Sequence, residues 1–327
     1  MDTLRIGTRG SELALFQANA VAERLVRHAR ISSDIVVIKT SGDRLADASL
    51  AQIGGKRLFV KEIEDALLAG EIDLAVHSSK DMPALLPGGL HVGAVLQRED
   101  PHDAIVLPTA VSAPAGHARS IQEVVSELGR APRIGTSSIR RVAQLLRLLP
   151  DAQFLPVRGN LGTRLRKLDS GEYDALVLAA AGLRRLGRAD RITAMIPADV
   201  CVPAPGQGII AIEIRDDDER AARAVASIDD PEAAAALRAE RAVVSRLGGG
   251  CQMPIGAMAS IADGGLSLRG VVVSPDGGRI VRASASGSST DAEALGRQVA
   301  DELLSSGAGD ILADVQRAHA AVEGIQP

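Results

Sequence analysis

A pattern that occurs twice limits the folds that this chain of 327 residues can adopt. RIGTRGSELALFQ begins at Arg5, and RIGTSSIRRVAQLL begins at Arg133. Each copy has the pattern of a short apolar strand, a Gly-Thr turn with serine, and a helix whose apolar residues recur about every 3.6 positions. LLAGEIDLAVHSS and LDSGEYDALVLAA form a second pair, in which Gly70 and Gly171 stand where a helix C-cap favours a positive φ. We therefore predict two α/β units of one plan, each with a parallel sheet.

The first unit is longer than the second. From the start of the strand to the capping glycine there are 65 residues in the first unit and 38 in the second. Part of the difference is a longer first helix, at about residues 11–29. The rest is a polar segment without clear period, residues 40–57. Long segments of this kind often act as lids, and we interpret it so; a tolerated surface insertion is the alternative.

Two further regions carry other patterns. Residues 108–132 begin as a Pro/Ala/Gly-rich linker and end as a capped surface helix, to which we assign no chemistry. From Pro231 the chain has a helix with proline at its first turn, three strand-like segments joined by DGG and PDGG turns, and two helices. We predict a third unit of the α+β class, with Cys251 at the joint between its first helix and its first strand.

The composition excludes several classes of protein. The chain has 41 acidic and 37 basic residues, so it lacks the global basic field of a nucleic-acid-binding protein. Three Phe, one Tyr and no Trp are too few for base-stacking platforms. No secretory leader is visible, no apolar run approaches the roughly 20 residues of a membrane span, and two cysteines do not make a disulfide scaffold. We predict a cytoplasmic protein with reduced thiols that binds neither nucleic acid nor membranes.

The segment HSSKDMP, residues 77–83, directly follows the apolar strand IDLAV. In open α/β sheets, ligands bind beyond the carboxyl ends of the strands, which is where Ser78, Ser79, Lys80 and Asp81 fall. A carboxylate beside an ammonium group is a plausible acid/base group. The alternative is a solvated loop without a catalytic role.

Several arginines lie at or just after the ends of predicted strands, beside Gly, Ser, Thr or Asn. They are Arg9, Arg140, Arg141, Arg158 and Arg164. Free N–H groups at helix starts favour anions, and arginine adds bidentate recognition of carboxylates. Several such turns converging between two similar units predict a site for a multiply charged acidic ligand. The alternative is that these arginines pair with surface acids.

The two cysteines differ in their surroundings. Cys201 lies in an apolar run, as a buried structural cysteine does, whereas Cys251 follows three glycines in GGGCQMPIGA. Glycines permit the close approach of a bulky group, which fits a covalent attachment point or a nucleophile; a plain turn cysteine fits equally well. The six His show no HxxxH spacing and there is no CxxC, so the sequence predicts no metal site.

Eight segments of the chain resemble, in the same order, those of the porphobilinogen deaminase family, also called hydroxymethylbilane synthases. They are IGTRGSELALFQA, GGKRLFVKEIE, AVHSSKDMP, GTSSIRR, VRGNLGTRLRKLD, LAAAGLRRLG, PAPGQGIIAIE and GGGCQMPIGA. The resemblance covers the chain from about Leu4 to Val315. Each segment is a weak signal alone, but the ordered set is highly specific.

The resemblance implies two domains like those of type II periplasmic binding proteins, with the active site between them, and a smaller C-terminal α+β domain. Domain 1 would comprise residues 1–98 and 203–226, domain 2 residues 102–202, and domain 3 residues 230–327. It also implies one dipyrromethane cofactor per chain, held by a thioether to Cys251. Such an enzyme adds four porphobilinogens head to tail, releases ammonia at each addition and then frees hydroxymethylbilane, in tetrapyrrole biosynthesis.

The resemblance also implies roles for individual residues. Asp81 would help to protonate the departing amine and, once ionised, would stabilise the azafulvenium cation. Phe59 would stack near the substrate pyrrole. The residues implied to hold the cofactor, besides Cys251, are Ser78, Lys80, Thr136, Ser138, Arg140, Arg141, Arg158 and Gly159. Those implied to bind the substrate are Arg9, Ser11, Gln17, Lys56, Phe59, Arg164, Arg185 and Gln207.

The chain departs from the family pattern at two positions, and its segment 108–132 is longer than the family pattern implies. A lysine is common where Gln52 stands, and a proline is common where Glu12 stands. The resemblance implies a monomer whose product passes to uroporphyrinogen-III synthase. Two alternatives stay open: a solute-binding protein of the same two-domain plan that holds an acidic ligand without chemistry, and a transferase that uses Cys251 as its nucleophile.

Overall fold

The structure is a computed structural model and describes residues 3–41, 60–109, 119–250, 253–262 and 265–323. Its first elements are β1 (Leu4–Thr8), α1 (Glu12–Arg24), β2 (Ser33–Val37), α2 (Lys61–Leu68), β3 (Leu74–Ser78) and β4 (Leu90–Val95). The next are β5 (Asp103–Val106), α3 (Ile121–Leu128), β6 (Arg133–Gly135), α4 (Ile139–Leu145), β7 (Gln153–Leu155), α5 (Leu161–Asp169), β8 (Ala175–Ala179), α6 (Ala180–Arg185) and β9 (Ala194–Ile196). The last are β10 (Ile210–Arg215), α7 (Glu219–Ala226), α8 (Pro231–Arg246), β11 (Ile255–Ala262), β12 (Gly265–Val273), β13 (Ile280–Ser288), α9 (Ala292–Leu303) and α10 (Gly309–Glu323).

The helix boundaries follow from local sequence signals. At the start of α1, the Ser11 side chain accepts a hydrogen bond from the backbone N–H of Ala14, which satisfies one of the free donors of the first turn. A single π-helical turn, residues 25–29, continues this helix, so the predicted long first helix is confirmed. Gly70 and Gly171 have φ values of 69° and 81°, as predicted for helix C-caps.

The sequence repeat corresponds to a repeated contact between side chain and backbone. In the first unit, Asp73 accepts hydrogen bonds from the backbone N and the Nη2 of Arg5, both at 2.7 Å. In the second unit, Asp174 makes the same two bonds with Arg133, again at 2.7 Å. The first pair joins β1 to the residue just before β3, and the second joins β6 to the residue just before β8. The two units therefore share one plan at the level of individual atoms, as predicted.

Two five-stranded sheets have the same arrangement. Their strand orders are β2-β1-β3-β10-β4 and β7-β6-β8-β5-β9. In the first sheet, β1 is parallel to β2 and β3, whereas β10 is antiparallel to β3 and β4. In the second sheet, β6 is parallel to β7 and β8, whereas β5 is antiparallel to β8 and β9. The prediction of parallel sheets is therefore wrong for β10 and β5.

The reason is that these two strands enter their sheets from the other unit. β10 begins at Ile210 opposite Ser78, the last residue of β3. β5 begins at Asp103 opposite Ala179, the last residue of β8. Each crossing strand starts at the edge where the parallel strands end, so it runs in the opposite direction. The carboxyl ends of the parallel strands and the two crossings consequently lie together.

The C-terminal unit is of the predicted α+β class. Its sheet, β11-β12-β13, is antiparallel, and α8 and α9 pack together against it. The two helices approach closely at Gly296, where a Cβ atom would lie 2.3 Å from the carbonyl oxygen of Ala239. The core is aliphatic, as the scarcity of aromatic residues required. The predicted fold class, two α/β units and a smaller α+β unit, is confirmed.

A buried carboxylate joins the C-terminal unit to the crossing segments. Glu240 on α8 is fully buried and accepts hydrogen bonds from Arg98 Nη1 at 2.6 Å, from Gly206 N at 2.6 Å and from Ala259 N at 2.7 Å. These three partners lie after β4, before β10 and in β11, respectively. Burying a charge costs much free energy unless the charge is paired and hydrogen-bonded, as this carboxylate is. Among the described residues, no helix is long and apolar enough to cross a membrane.

Candidate active site

The first unit presents a carboxyl group and an amino group at the end of β3. Ser79, Lys80 and Asp81 form one turn of 3₁₀-helix directly after the strand. The backbone N of Ser79 donates to Ile209 O at 3.0 Å, which fixes this turn against the crossing segment before β10. Asp81 is exposed and Lys80 is part-buried. The predicted position of these residues beyond the carboxyl end of a strand is therefore confirmed.

Charge interactions connect this turn to the second unit. Burial lowers the pKa of Lys80 to about 8; the charge of Asp81 opposes this shift, and the charge of Arg141 adds to it. Burial and the charge of Arg141 likewise lower the pKa of Arg164, and Asp81 again opposes them. Lys80 and Arg164 therefore sit near the same carboxylate and are repelled by the same guanidinium. The crevice between the two sheets concentrates positive charge.

Asp103, the first residue of β5, organises the arginines of the second unit. Its fully buried carboxylate lies 2.7 Å from Arg140 Nη2, 2.7 Å from Arg141 Nη2 and 2.9 Å from Gln207 Nε2. Burial disfavours the ionised form, but the charges of Arg140 and Arg141 outweigh it and hold the pKa of the Asp103 carboxyl far below its usual range. One carboxylate thus fixes two guanidiniums at the end of the second sheet.

Sequence reasoning missed Asp103. A signal was present, because an aspartate at the start of an apolar run is rarely buried unless it has a charged partner. The run DAIV in DPHDAIV has this pattern. What the sequence does not reveal is which of the many arginines would reach that carboxylate.

The arginine pair is almost completely buried. Arg140 and Arg141 are only 4% and 7% exposed. Arg140 Nη1 donates to Val202 O at 2.7 Å, and Arg141 Nη1 donates to Val177 O at 2.8 Å. Most of their donors are therefore engaged within the second unit. We call this pair the buried wall; Lys80, Arg158 and Arg164, by contrast, are part-buried.

The remaining polar candidates of the second unit lie at helix starts. Ser138 caps α4 by accepting a hydrogen bond from Arg141 N, and Thr136 Oγ1 accepts one from Ser138 N at 3.3 Å. Arg158 and Gly159 follow β7, and Gly159 has a φ of 100°. Its carbonyl oxygen accepts a hydrogen bond from Arg164 Nε at 2.8 Å. The loop between β7 and α5 therefore sets the position of Arg164.

The other predicted substrate contacts occupy several parts of the crevice region. Arg9 follows β1, and the Ser11 hydroxyl is engaged as the cap of α1. Gln17 is buried, and its Nε2 has no hydrogen-bond partner within the described part of the chain.

The last two predicted substrate contacts are Arg185 and Gln207. Burial lowers the pKa of Arg185 to about 10, and its Nη2 donates to Gly208 O at 2.6 Å. Gln207 is buried, and its Nε2 donates to Asp103. It therefore helps to hold the carboxylate that pairs with Arg140 and Arg141.

Several predicted residues fall outside the described residues. These are Gln52 and Lys56 of the predicted lid, together with Phe59 and Cys251. Cys201 is described: it is buried, and burial raises the pKa of its thiol to about 12, as suits a structural cysteine. Within residues 3–323, apart from the gaps noted above, no group of three His, Cys, Asp or Glu could hold a metal ion.

The comparisons with known proteins agree with this arrangement. Residues 4–223 match the family described as porphobilinogen deaminase, dipyrromethane cofactor binding domain, and residues 234–305 match porphobilinogen deaminase, C-terminal domain. A porphobilinogen deaminase of Desulforudis audaxviator is 50% identical over 95% of this chain and 97% of its own length. One of Syntrophobacter fumaroxidans is 48% identical over 96% of this chain and 98% of its own.

Solved structures with a distant likeness include substrate binding domain 2 of GlnP from Lactococcus lactis. It is 9% identical, has a TM-score of 0.42, and covers 76% of this chain and 91% of its own. The two family matches together leave few residues of the chain unassigned. The chain belongs to the porphobilinogen deaminase family.

Proposed function

We propose that this chain is a hydroxymethylbilane synthase, which joins four porphobilinogens head to tail and releases one ammonia at each addition. The observation that carries the proposal is the convergence of Lys80 from the first unit and Arg164 from the second on one exposed carboxylate, Asp81. Porphobilinogen carries an acetate and a propionate, and the growing chain multiplies these groups. A crevice with more positive than negative charge can bind such a ligand. An exposed carboxyl group within it can supply the proton that the departing amine needs.

Asp81 is the proposed catalytic residue. In its protonated form, it donates a proton to the amine that leaves the substrate. The resulting carboxylate then stabilises the positive charge left on the substrate and accepts hydrogen bonds from pyrrole N–H groups. Stabilisation of developing charge by a well-placed group typically contributes a few kcal/mol. Its exposed position at the end of β3 leaves the carboxyl open to a ligand.

The cations of the crevice bind and orient carboxylates. Lys80, Arg158 and Arg164 are part-buried and can contact a ligand directly, whereas Arg140 and Arg141 present a fixed positive charge behind them. Arg9, Arg185 and Ser11 complete the proposed substrate site from the first unit and α6. Partial removal of water strengthens each of these charge interactions.

The same crevice fits a dipyrromethane, because that group carries carboxylates of its own. The residues proposed to hold it are Ser78, Lys80, Thr136, Ser138, Arg140, Arg141, Arg158 and Gly159, with a thioether to Cys251. When bound, the group would supply the terminal pyrrole carbon to which the first substrate is joined. Phe59, Lys56, Gln17 and Gln207 are proposed as further substrate contacts.

The proposed domain bounds follow the sheets. Residues 1–98 and 203–226 contribute all strands of the first sheet, and residues 102–202 contribute all strands of the second. Residues 230–327 contribute the third sheet. Segment 40–57 is the proposed lid. We also propose a cytoplasmic monomer, whose product passes to uroporphyrinogen-III synthase.

The proposal is tested by turnover of porphobilinogen with the purified full-length protein. The expected products are a linear tetrapyrrole and four equivalents of ammonia. A protein that binds porphobilinogen saturably but releases no ammonia would instead be a solute-binding protein, and the proposal would be wrong.

A further inference from the structure

A second basic cavity lies outside the crevice. It has a volume of about 670 Å³ and separates β4, the edge strand of the first sheet, from α8 and α9 of the C-terminal unit. This volume is within the range of small-molecule sites, roughly 300–1,000 Å³. None of the crevice residues described above lines it. The proposed function gives this cavity no role.

One wall of the cavity is cationic. Arg238, Arg241 and Arg246 project from one side of α8, and Arg297 faces them from α9. Among the described residues of the lining, only Asp229 and Glu293 carry carboxylates. One oxygen of Asp229 already accepts a hydrogen bond from Val95 N at 2.8 Å. The lining therefore has an excess of positive charge.

Three arginines of this wall, Arg238, Arg246 and Arg297, are exposed to an incoming anion. Arg238 is exposed and makes no ion pair or hydrogen bond within the described residues. The Arg297–Glu293 pair has a separation of 3.5 Å, and both side chains are more than half exposed. The Arg246–Asp301 pair is equally exposed. Such exposed pairs are weak, so a multivalent anion can replace them. Arg241 is better fixed, because its Nη2 donates to Ala84 O at 2.9 Å.

The floor of the cavity is apolar. Leu86, Val92, Ala234 and Leu237 line it and belong to one hydrophobic cluster between the first sheet and α8. A small, fully hydrated anion would leave this floor uncovered. A ligand with an apolar body and two or more acidic groups would cover the floor and meet the arginines together, as ligand sites commonly require.

We propose that this cavity binds a small amphiphilic polycarboxylate, at a site separate from the crevice. The ligand contacts β4 on one side and α8 and α9 on the other, so it joins the C-terminal unit to the first sheet. Binding to the folded protein alone raises its melting temperature by mass action. The inference rests on the cavity and its charges and stands whether or not the proposed function is correct.

The test uses benzene-1,3,5-tricarboxylate as the probe and the full-length protein labelled at its methyl groups. Methyl NMR signals of Val92 and Leu237 should shift saturably, and the affinity should fall as salt is added. The variant Arg238→Gln/Arg297→Gln should bind at this site at least about tenfold more weakly, because two charge-assisted contacts are lost. Its turnover should equal that of the unchanged protein.

The matched control is Arg223→Gln on α7. Arg223 forms the same i,i+4 pair as Arg297, here with Glu219, and lies outside the cavity. This variant should bind the probe as the unchanged protein does. Absence of shifts at Val92 and Leu237, or equal affinity in the double variant, would overturn the proposal. Probe signals confined to Val157, beside Arg158, would also overturn it, because they place the probe in the crevice alone.

Pyrophosphate tests the ligand class, since it carries comparable charge without an apolar body. It should bind at the cavity at least several-fold more weakly than the tricarboxylate. Equal or tighter binding of pyrophosphate would overturn the assignment to an amphiphilic ligand.

Discussion

The two α/β units share a frame and differ in the chemistry that they place on it. Both have the same strand arrangement and the same Arg–Asp contact, which ties β1 to the residue before β3 in one unit and β6 to the residue before β8 in the other. At equivalent positions of the crossing strands, however, the first unit has Ile210 and the second has Asp103. The second unit thereby gathers two arginines into a buried wall, whereas the first presents an exposed acid in the turn after β3. The repeated strands therefore determine where a ligand site can form. The residues that differ between the two units determine the chemistry of that site.

The largest expected effect comes from the exposed acid of the first unit. Asp81→Asn should lower kcat by about 10²–10⁴-fold, because the side chain can no longer donate and accept the proton. The free energy of unfolding should change little, since this side chain is exposed. Steady-state kinetics and urea unfolding measure the two quantities.

The matched control lies in the second unit. Asp190 is also exposed and also lies in a short 3₁₀ turn, Ala189–Arg191. Asp190→Asn should leave kcat unchanged. If Asp81→Asn and Asp190→Asn lowered kcat by the same factor, Asp81 would have no catalytic role of its own.

The next effect concerns the buried carboxylate of the second unit. Asp103→Asn leaves Arg140 and Arg141 buried without their anion, so the free energy of unfolding should fall by about 3 kcal/mol. KM should rise as well, because the cationic wall loses its fixed geometry. Urea unfolding and steady-state kinetics check both.

Ile210→Val, at the equivalent position of the first sheet, serves as the comparison. It should reduce stability by only about 1 kcal/mol and leave KM unchanged. If Asp103→Asn changed the free energy of unfolding and KM no more than Ile210→Val does, Asp103 would not hold the two arginines in place.

A smaller effect should appear in the pH profile. Because burial lowers the pKa of Lys80 to about 8, this cation is present below that pH and is lost as the pH rises through it. The value of kcat/KM for the free enzyme should therefore fall above pH about 8, by up to about tenfold per pH unit. Lys80→Arg should remove this fall, because an arginine stays charged. Lys61→Arg, at an exposed position of α2, should keep it.

The smallest effect should distinguish the two repeated contacts. Asp73 is more buried than Asp174, with side-chain exposures of 11% and 40%. Asp73→Asn should lower the free energy of unfolding by about 1 kcal/mol or less, and Asp174→Asn by a smaller amount. Chemical unfolding of the two variants under one set of conditions measures the difference. The opposite order would show that the shared contact does not stabilise the two units in the same way.

The sequence predicted the elements of the fold well where the signals were local. Ser11 and Ser120 cap helices as their positions indicate, and Gly70 and Gly171 have the expected positive φ. The direction of β5 and β10 was not predictable in this way. Strand direction depends on where the chain crosses between units, and the pattern of apolar residues within a strand is the same in either direction.

The sequence indicated which residue types form the candidate site. It did not indicate which of them are buried or which partners they have. The turn after β3 brings Lys80 and Asp81 to the crevice as the sequence indicated. The burial of Arg140 and Arg141 was not foreseen, because it depends on one distant partner, Asp103, which is 37 residues or more away along the chain. Ser11 and Ser138 were predicted as ligand contacts, and their hydroxyls also cap helices.

The most direct test of the proposed function is the mass of the intact protein before and after incubation with porphobilinogen. We expect purified protein to carry two linked pyrrole units at Cys251, and further pyrrole units to appear on that adduct when substrate is added. Cys251→Ser should lack the adduct and turnover, whereas Cys201→Ser should keep both. An unmodified protein that converts porphobilinogen at a normal rate would contradict the account.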